Sequence, residues 1–272
     1  MDWDKIVKVL PSIIEKLKAE NMVEKTIIRD DIFKILEKHC IVIYYPFADE
    51  DNCGFHTRRS INNEWVDFVY INTGKSLSKQ VFTAAHELGH VWDVKEKILH
   101  ELSEYEDFTT EEEEQIINRF AAELMMPSES FRKSFLQHLQ ETVQDTKYIT
   151  LENLVRVIVL QMNDYMVPYE AVRRRMVETE IIYEKDASIL KNKKDDIKAL
   201  VVAFSKDQNT VLDKATEKKT IPGLRVLLKT IEQKKALDEY TVSKIKKDFE
   251  MNNINSINEV INILGAGNNG ED

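Results

Sequence analysis

The amino-acid sequence predicts an α+β fold that is mostly α-helical, and three observations carry this prediction. Apolar residues recur at helical spacing over most of the chain, whereas β-branched and aromatic runs are confined to residues 40–72. Only seven glycines and five prolines occur in 272 residues, which argues against a loop-rich β architecture. A chain of this length can form one large domain or two smaller ones.

An uneven distribution of charge predicts a domain boundary near Glu184. The chain has 38 Lys and Arg residues against 48 Asp and Glu residues, a net charge of −10. Residues 184–272 are nearly neutral, so residues 1–183 carry almost all of the negative charge. We therefore expect a first domain at 1–183 and a helical C-terminal domain at 184–272, to which the sequence assigns no role.

The acidic composition also restricts the partners and the location of the protein. A net negative charge disfavours direct binding to nucleic acid or to an anionic membrane. No apolar stretch approaches the ~20 residues of a membrane span, and the N-terminus does not resemble a signal peptide. We expect a cytoplasmic protein that does not bind membranes.

The N-terminal part of the chain predicts helices followed by strands. Residues 1–39 repeat the helical spacing of apolar side chains. The runs Cys40–Tyr45, Phe55–Arg59 and Phe68–Asn72 are rich in β-branched and aromatic residues and predict three strands, with a turn at Asn62-Asn63. We expect these strands to form a small antiparallel sheet.

Two long helices are predicted after the sheet. The first begins near residues 76–78 and runs past Trp92. The second begins at residues 109–110, where Thr110 and Glu113 have the spacing of a capping box, and it ends before Pro127.

The remainder of the chain predicts further helices. Residues 151–178 resemble a helix-turn-helix pair, with Arg173-Arg174-Arg175 on the second helix. The C-terminal region is predicted to contain amphipathic helices at 197–204, 224–231 and 242–249.

The sharpest chemical signal is the sequence His86-Glu87-Leu88-Gly89-His90. Residues four apart lie on one face of a helix, so both imidazoles can reach one metal ion at about 2.0–2.1 Å. Glu87 lies beside the first histidine, where it can take a proton from water and deliver it to a leaving amine. The motif also lies on a predicted helix directly after a strand, which disfavours an accidental match. The motif predicts a hydrolase that holds one Zn²⁺ per chain.

A third protein ligand is expected from the acidic helix downstream. Glu114 lies at the edge of the predicted buried stripe of that helix, and Asn118 lies one turn further on the same side. We therefore predict Glu114 as the third ligand and Asn118 as a residue that orients a ligand, although Glu113 also lies near the stripe and stays an alternative. The stripe consists of Ile117, Phe120, Ala121 and Leu124.

The segment from Phe68 to Phe131 resembles the ImmA/IrrE family of metallopeptidases. The blocks FVYIN, FTAAHELGH and NRFAAELMMP match the family in order and separation. The resemblance implies a minimal zincin-like fold in which His86 and His90 are zinc ligands, Glu87 is the general base and Glu114 is the third ligand. One departure is Ile116, at a position where the family commonly has a second glutamate.

The resemblance also implies a protein substrate. Family members often inactivate a helix-turn-helix transcriptional repressor by a specific cut and so act as anti-repressors. We expect the substrate to pair with the sheet edge near Val69–Asn72. Tyr70, Tyr105 and His100 are candidate donors to the oxyanion, and the sequence does not choose among them.

Two other classes of function remain open on the sequence alone. The chain could be a zincin-like module that binds a regulatory partner without catalysis. It could also be a DNA-binding regulator that works through residues 151–178, although the acidic balance of residues 1–183 disfavours this. His39, His56 and His138 have no partner at ligand spacing and are predicted to be structural.

Overall fold

The structure is a computed structural model that describes residues 2–49, 51–103, 107–143, 149–192, 194–206 and 211–251. The fold is α+β and mostly helical, as predicted. Two helices open the chain, α1 (Trp3–Glu20) and α2 (Asp31–His39). The carboxylate of Asp2 accepts a hydrogen bond from the backbone N–H of Lys5 and caps α1.

Three strands form a mixed sheet. β1 (Ile41–Tyr45), β2 (Gly54–Ile61) and β3 (Glu64–Asn72) lie in the order β1-β3-β2. β2 and β3 form an antiparallel hairpin, and the turn residues Asn62 and Asn63 have φ angles of 52° and 67°, as a type I′ turn requires.

The expectation of a wholly antiparallel sheet is wrong, because β1 pairs with β3 in parallel. β1 and β3 are separated by one reversing strand, so they run in the same direction. The tight hairpin holds β2 on one edge of β3, and β1 occupies the other edge. β3 is therefore the central strand.

The two predicted long helices are α3 (Leu77–Val91) and α5 (Thr110–Met125), with the short helix α4 (Val94–Glu101) between them. α3 ends at Val91 and does not continue past Trp92, because Asp93 adopts a left-handed conformation with φ of 51°. The capping box of α5 is formed by Thr109 and Glu112, one residue earlier than predicted. This shift leaves the side chain of Glu113 free of the cap.

α3 packs in the core between the sheet and α5. Four of its apolar side chains are fully buried, and at Gly89 the two helices approach closely. A Cβ atom at position 89 would lie 2.9 Å from Cδ1 of Phe120, so only glycine permits this spacing. The four fully buried apolar side chains of α3 are those of Val81, Ala84, Ala85 and Leu88.

The remaining helices complete the described chain. They are α6 (Ser128–Thr142), α7 (Leu151–Tyr165), α8 (Tyr169–Glu178), α9 (Glu184–Asn192), α10 (Lys194–Ser205), α11 (Leu224–Lys234) and α12 (Glu239–Asp248). None of the helices in the described ranges is both long and apolar enough to cross a lipid bilayer.

The chain divides into two compact units, Met1–Lys218 and Lys219–Asp272. α9 and α10 pack on α8 and α7 and so belong to the first unit, although they follow the boundary predicted near Glu184. In the second unit, α11 and α12 pack around Leu224, Leu228 and Val242.

Within the first unit, a segment after α10 is attached to the start of α3. The carbonyl groups of Leu212 and Lys214 accept hydrogen bonds from the backbone N–H groups of Ser78 and Leu77 at 3.1 and 2.8 Å. These carbonyls satisfy donors that the first turn of a helix leaves without intrahelical partners.

Candidate metal centre

Two histidines of α3 and one glutamate of α5 come together beside the sheet. The Nε2 atom of His86 lies 3.2 Å from Oε2 of Glu114, and Nε2 of His90 lies 3.6 Å from Oε1 of the same carboxylate. Ligands about 2.1 Å from one tetrahedral ion are about 3.4 Å apart, so these separations are close to those of a zinc site. Among the described residues, this trio forms a group with the spacing that a metal ion requires.

The two neighbouring glutamates face different atoms. Oε1 of Glu113 lies 3.4 Å from Nδ1 of His90, on the side of the ring away from Glu114. Because the Nε2 atoms of both histidines point toward Glu114, the geometry favours Glu114 over Glu113 as the third donor.

Asn118 contacts the other nitrogen of His86. Its Oδ1 atom lies 3.2 Å from Nδ1 of His86, and its Nδ2 atom donates to the carbonyl of Glu114 at 2.8 Å. Since the amide nitrogen is engaged by that carbonyl, the oxygen faces the imidazole and accepts from Nδ1–H. This tautomer leaves Nε2 of His86 unprotonated and able to bind a cation.

Glu87 is buried beside the trio, with a relative exposure of 4%. Burial raises the pKa of Glu87 to about 7, and the negative charge of Glu114 acts in the same direction while His86 opposes it. A carboxyl group with a pKa near neutrality can both accept and release a proton at neutral pH, as a general base and acid must.

The charges of the trio also shift the pKa values of its members. The hydrogen bond with His86 is the main cause that lowers the pKa of Glu114. Burial alone would lower the pKa of His86, but the hydrogen bond with Glu114 and the nearby carboxylates outweigh it and raise this pKa. For His90, burial together with the charge of His86 lowers the pKa.

The close approach of β2 to α3 depends on Gly54. A Cβ atom at this position would lie 2.6 Å from both Cγ2 of Thr83 and the carbonyl oxygen of Tyr70, and 3.6 Å from Oε1 of Glu87. The absence of a side chain at Gly54 therefore lets the edge of the sheet lie directly against Glu87.

Of the three candidate donors to the oxyanion, the structure describes Tyr70 and His100. The hydroxyl of Tyr70 donates to the backbone carbonyl of Tyr45 at 2.9 Å, so its hydrogen is already engaged. His100 is exposed at the end of α4 and lines a groove between α4 and α1. Tyr105 lies outside the described residues.

His56 is a neighbour of the site that the sequence pattern did not reveal. Its ring stacks on His90 with centroids 5.9 Å apart and planes inclined by 6°, and its Nε2 atom lies 2.7 Å from Oδ1 of Asp67. His56 lies on β2, more than 30 residues before His90 in the sequence. The contact could have been predicted only from knowledge that β2 packs against α3.

Two of the three arginines of the predicted helix-turn-helix pair, Arg173 and Arg175, are buried in the protein. Arg173 is paired with Glu170 at 2.7 Å, and Arg175 is fully buried against Glu123 and Glu178. Arg174 is exposed but also pairs with Glu170, at 2.9 Å, so all three arginines are engaged in ion pairs. Arg175 joins α8 to α5.

The fold and the trio together define a class of protein. A helix with two histidines four apart, a glutamate between them in sequence, and a second helix that supplies a carboxylate are typical of a metallopeptidase of the zincin type. The chain belongs to the Peptidase_M78 family, because the family model for the IrrE N-terminal-like domain matches residues 36–177. This match confirms the resemblance to ImmA/IrrE peptidases. No curated protein matches the chain.

Proposed function

We propose that this protein is a zinc-dependent endopeptidase with His86, His90 and Glu114 as its metal ligands and Glu87 as its catalytic residue. The convergence of both Nε2 atoms on the Glu114 carboxylate is the observation that carries the proposal. Zinc bound there would supply a Lewis acid that polarises the scissile carbonyl and makes water acidic enough to lose a proton near neutral pH.

Glu87 would move the protons of the reaction. Its buried carboxylate can accept a proton from the attacking water and pass it to the leaving amine. Asn118 would keep His86 in the tautomer that leaves Nε2 free. Binding, orientation and proton transfer are thus assigned to separate side chains.

We place the substrate at the outer edge of β2. The edge predicted near Val69–Asn72 is wrong, because β3 is paired on both sides over that stretch. In contrast, β2 is an edge strand of the described sheet and lies against α3. An extended peptide on this edge could pair through its backbone next to Glu87.

The hydrogen-bond register indicates which backbone groups are available on that edge. The N–H of Asn72 donates to the carbonyl of Cys53 at 2.9 Å. Bonded and non-bonded pairs alternate in an antiparallel ladder, so Gly54, His56 and Arg58 direct their N–H and C=O groups away from β3. These three residues are the expected backbone partners of the substrate.

The proposed substrate is a helix-turn-helix transcriptional repressor, cut at one site in the cytoplasm. Support comes from the resemblance to ImmA/IrrE peptidases and from the family match. The inward ion pairs of Arg173 and Arg175 disfavour the alternative in which this chain itself reads DNA.

The test uses the full chain and the repressor encoded beside its gene. Wild-type protein with zinc should cut the repressor at one site, whereas Glu87→Gln should retain zinc but lose cleavage. His86→Ala should lose about one zinc per chain. If the repressor stays intact with wild type and with Glu87→Gln while both hold zinc, the protein is instead a non-catalytic module.

A further inference from the structure

The histidines of the proposed metal site differ in the group that faces Nδ1, the ring nitrogen directed away from Glu114. Asn118, a neutral amide, faces Nδ1 of His86, whereas a carboxylate oxygen of Glu113 lies 3.4 Å from Nδ1 of His90. The second oxygen of Glu113 lies 3.3 Å from Nζ of Lys95, which in turn lies 2.8 Å from Oδ1 of Asp107.

These contacts form a chain of charges that crosses three segments. His90 is on α3, Lys95 is on α4, and Glu113 is on α5. The side chains of Glu113 and Lys95 are 26% and 21% exposed, whereas the side chain of Glu114 is 49% exposed. Glu113 is therefore more enclosed than its neighbour, although it does not face the Nε2 atoms.

We propose that Glu113, held in place by Lys95, is a positioning residue for His90. A carboxylate on Nδ1 keeps the proton on that nitrogen, leaves Nε2 bare, limits rotation of the ring and makes the imidazole a stronger donor. Lys95 keeps the carboxylate turned toward His90 and limits its movement toward the metal position. This inference depends on the metal centre proposed above.

The first test measures zinc affinity on the full chain by competition with a chromophoric chelator. Glu113→Ala should weaken zinc binding by about 10- to 100-fold, the range found for loss of a residue that orients a metal ligand. Glu113→Gln should recover most of this loss, because its amide oxygen can still accept from Nδ1–H. Lys95→Met should weaken binding less than Glu113→Ala does.

A matched control comes from the same helix turn. Glu111→Ala removes the same charge from the first turn of α5, at an exposed position, and should leave zinc affinity unchanged. Circular dichroism and thermal melting of each metal-free variant check the fold. If Glu113→Ala does not fold, Lys95→Met decides the question, because unchanged affinity in that variant overturns the proposal.

A second measurement separates positioning from ligation. At saturating Co²⁺, Glu113→Ala should give the same visible absorption bands as wild type, whereas Glu114→Ala should change them. A spectrum of Glu113→Ala like that of Glu114→Ala would overturn the proposal, because Glu113 would then be a ligand. Equal zinc affinity of wild type and Glu113→Ala would overturn it too, while failure of wild type to bind zinc would overturn the proposed metal centre itself.

Discussion

Replacing Gly89 with alanine should weaken both the fold and the proposed metal centre. A Cβ atom at position 89 would lie 2.9 Å from Cδ1 of Phe120 and 3.1 and 3.2 Å from two side-chain carbons of Ile117. Carbon atoms pack favourably at about 3.5–4.0 Å, so α3 and α5 must move apart or both side chains must shift.

The magnitude follows from two opposing effects. Overpacking a core costs about 1–3 kcal/mol, and alanine in place of glycine returns about 1 kcal/mol of helix propensity. We therefore expect the free energy of unfolding to fall by up to about 2 kcal/mol. Because Gly89 precedes His90 directly, separation of the helices should also move His90 away from Glu114 and weaken zinc binding.

Urea denaturation of the metal-free chain and chelator competition measure the two effects. The double variant Gly89→Ala/Phe120→Leu removes the ring that contains the nearest atom, so its cost should be less than the sum of the single costs. The reasoning about helix spacing is refuted if Gly89→Ala is as stable as wild type and binds zinc equally well.

Three further predictions concern stability and reactivity. Arg175→Met should lower the free energy of unfolding, measured by urea denaturation, by about 3–5 kcal/mol, because it leaves Glu123 without its buried partner. A loss below about 1 kcal/mol would contradict the importance of this ion pair. Burial alone would raise the pKa of Glu123, but the charge of Arg175 outweighs it and the pKa is lowered. The ionised Glu123 therefore stabilises the fold at pH values above its ordinary pKa of about 4.5, and this stabilisation is lost as the pH falls through the lower pKa of the folded state. Acid should consequently destabilise wild type more than Glu123→Gln. Burial raises the pKa of Cys40 to about 12, so at pH 8 iodoacetamide should alkylate this thiol about 10³-fold more slowly than an ordinary thiol. Mass spectrometry measures the labelling, and rapid labelling would show that the thiol is accessible.

The features that could be predicted from the sequence depend on short separations along the chain. The spacing of His86 and His90 on one helix, the hairpin at Asn62-Asn63 and the start of α5 near Thr110 all follow from local rules. The edge position of Glu114 on the buried stripe also predicts the side of α5 on which it lies, close to His86 and His90.

The features that could not be predicted depend on contacts between distant segments or on a shift of one residue. Strand patterns do not encode the strand order, so the parallel pairing of β1 with β3 was not predictable from the runs alone. Adjacent residues on a helix are rotated by only about 100° around its axis, so both Glu113 and Glu114 lie near the buried stripe. The stripe therefore could not show which of the two faces the Nε2 atoms of the histidines. The capping box uses Glu112, and the side chain of Glu113 faces His90 instead.

The position of Glu114 near the beginning of α5 links the cap of this helix to capture of a cation. Helix ends fray, and this carboxylate lies only four residues after Thr110, where the helix begins. The reciprocal hydrogen bonds between Thr109 and Glu112 hold that end ordered before any ion arrives. Part of the entropic cost of assembling the ligands is therefore met during folding, which leaves more of the coordination energy for affinity.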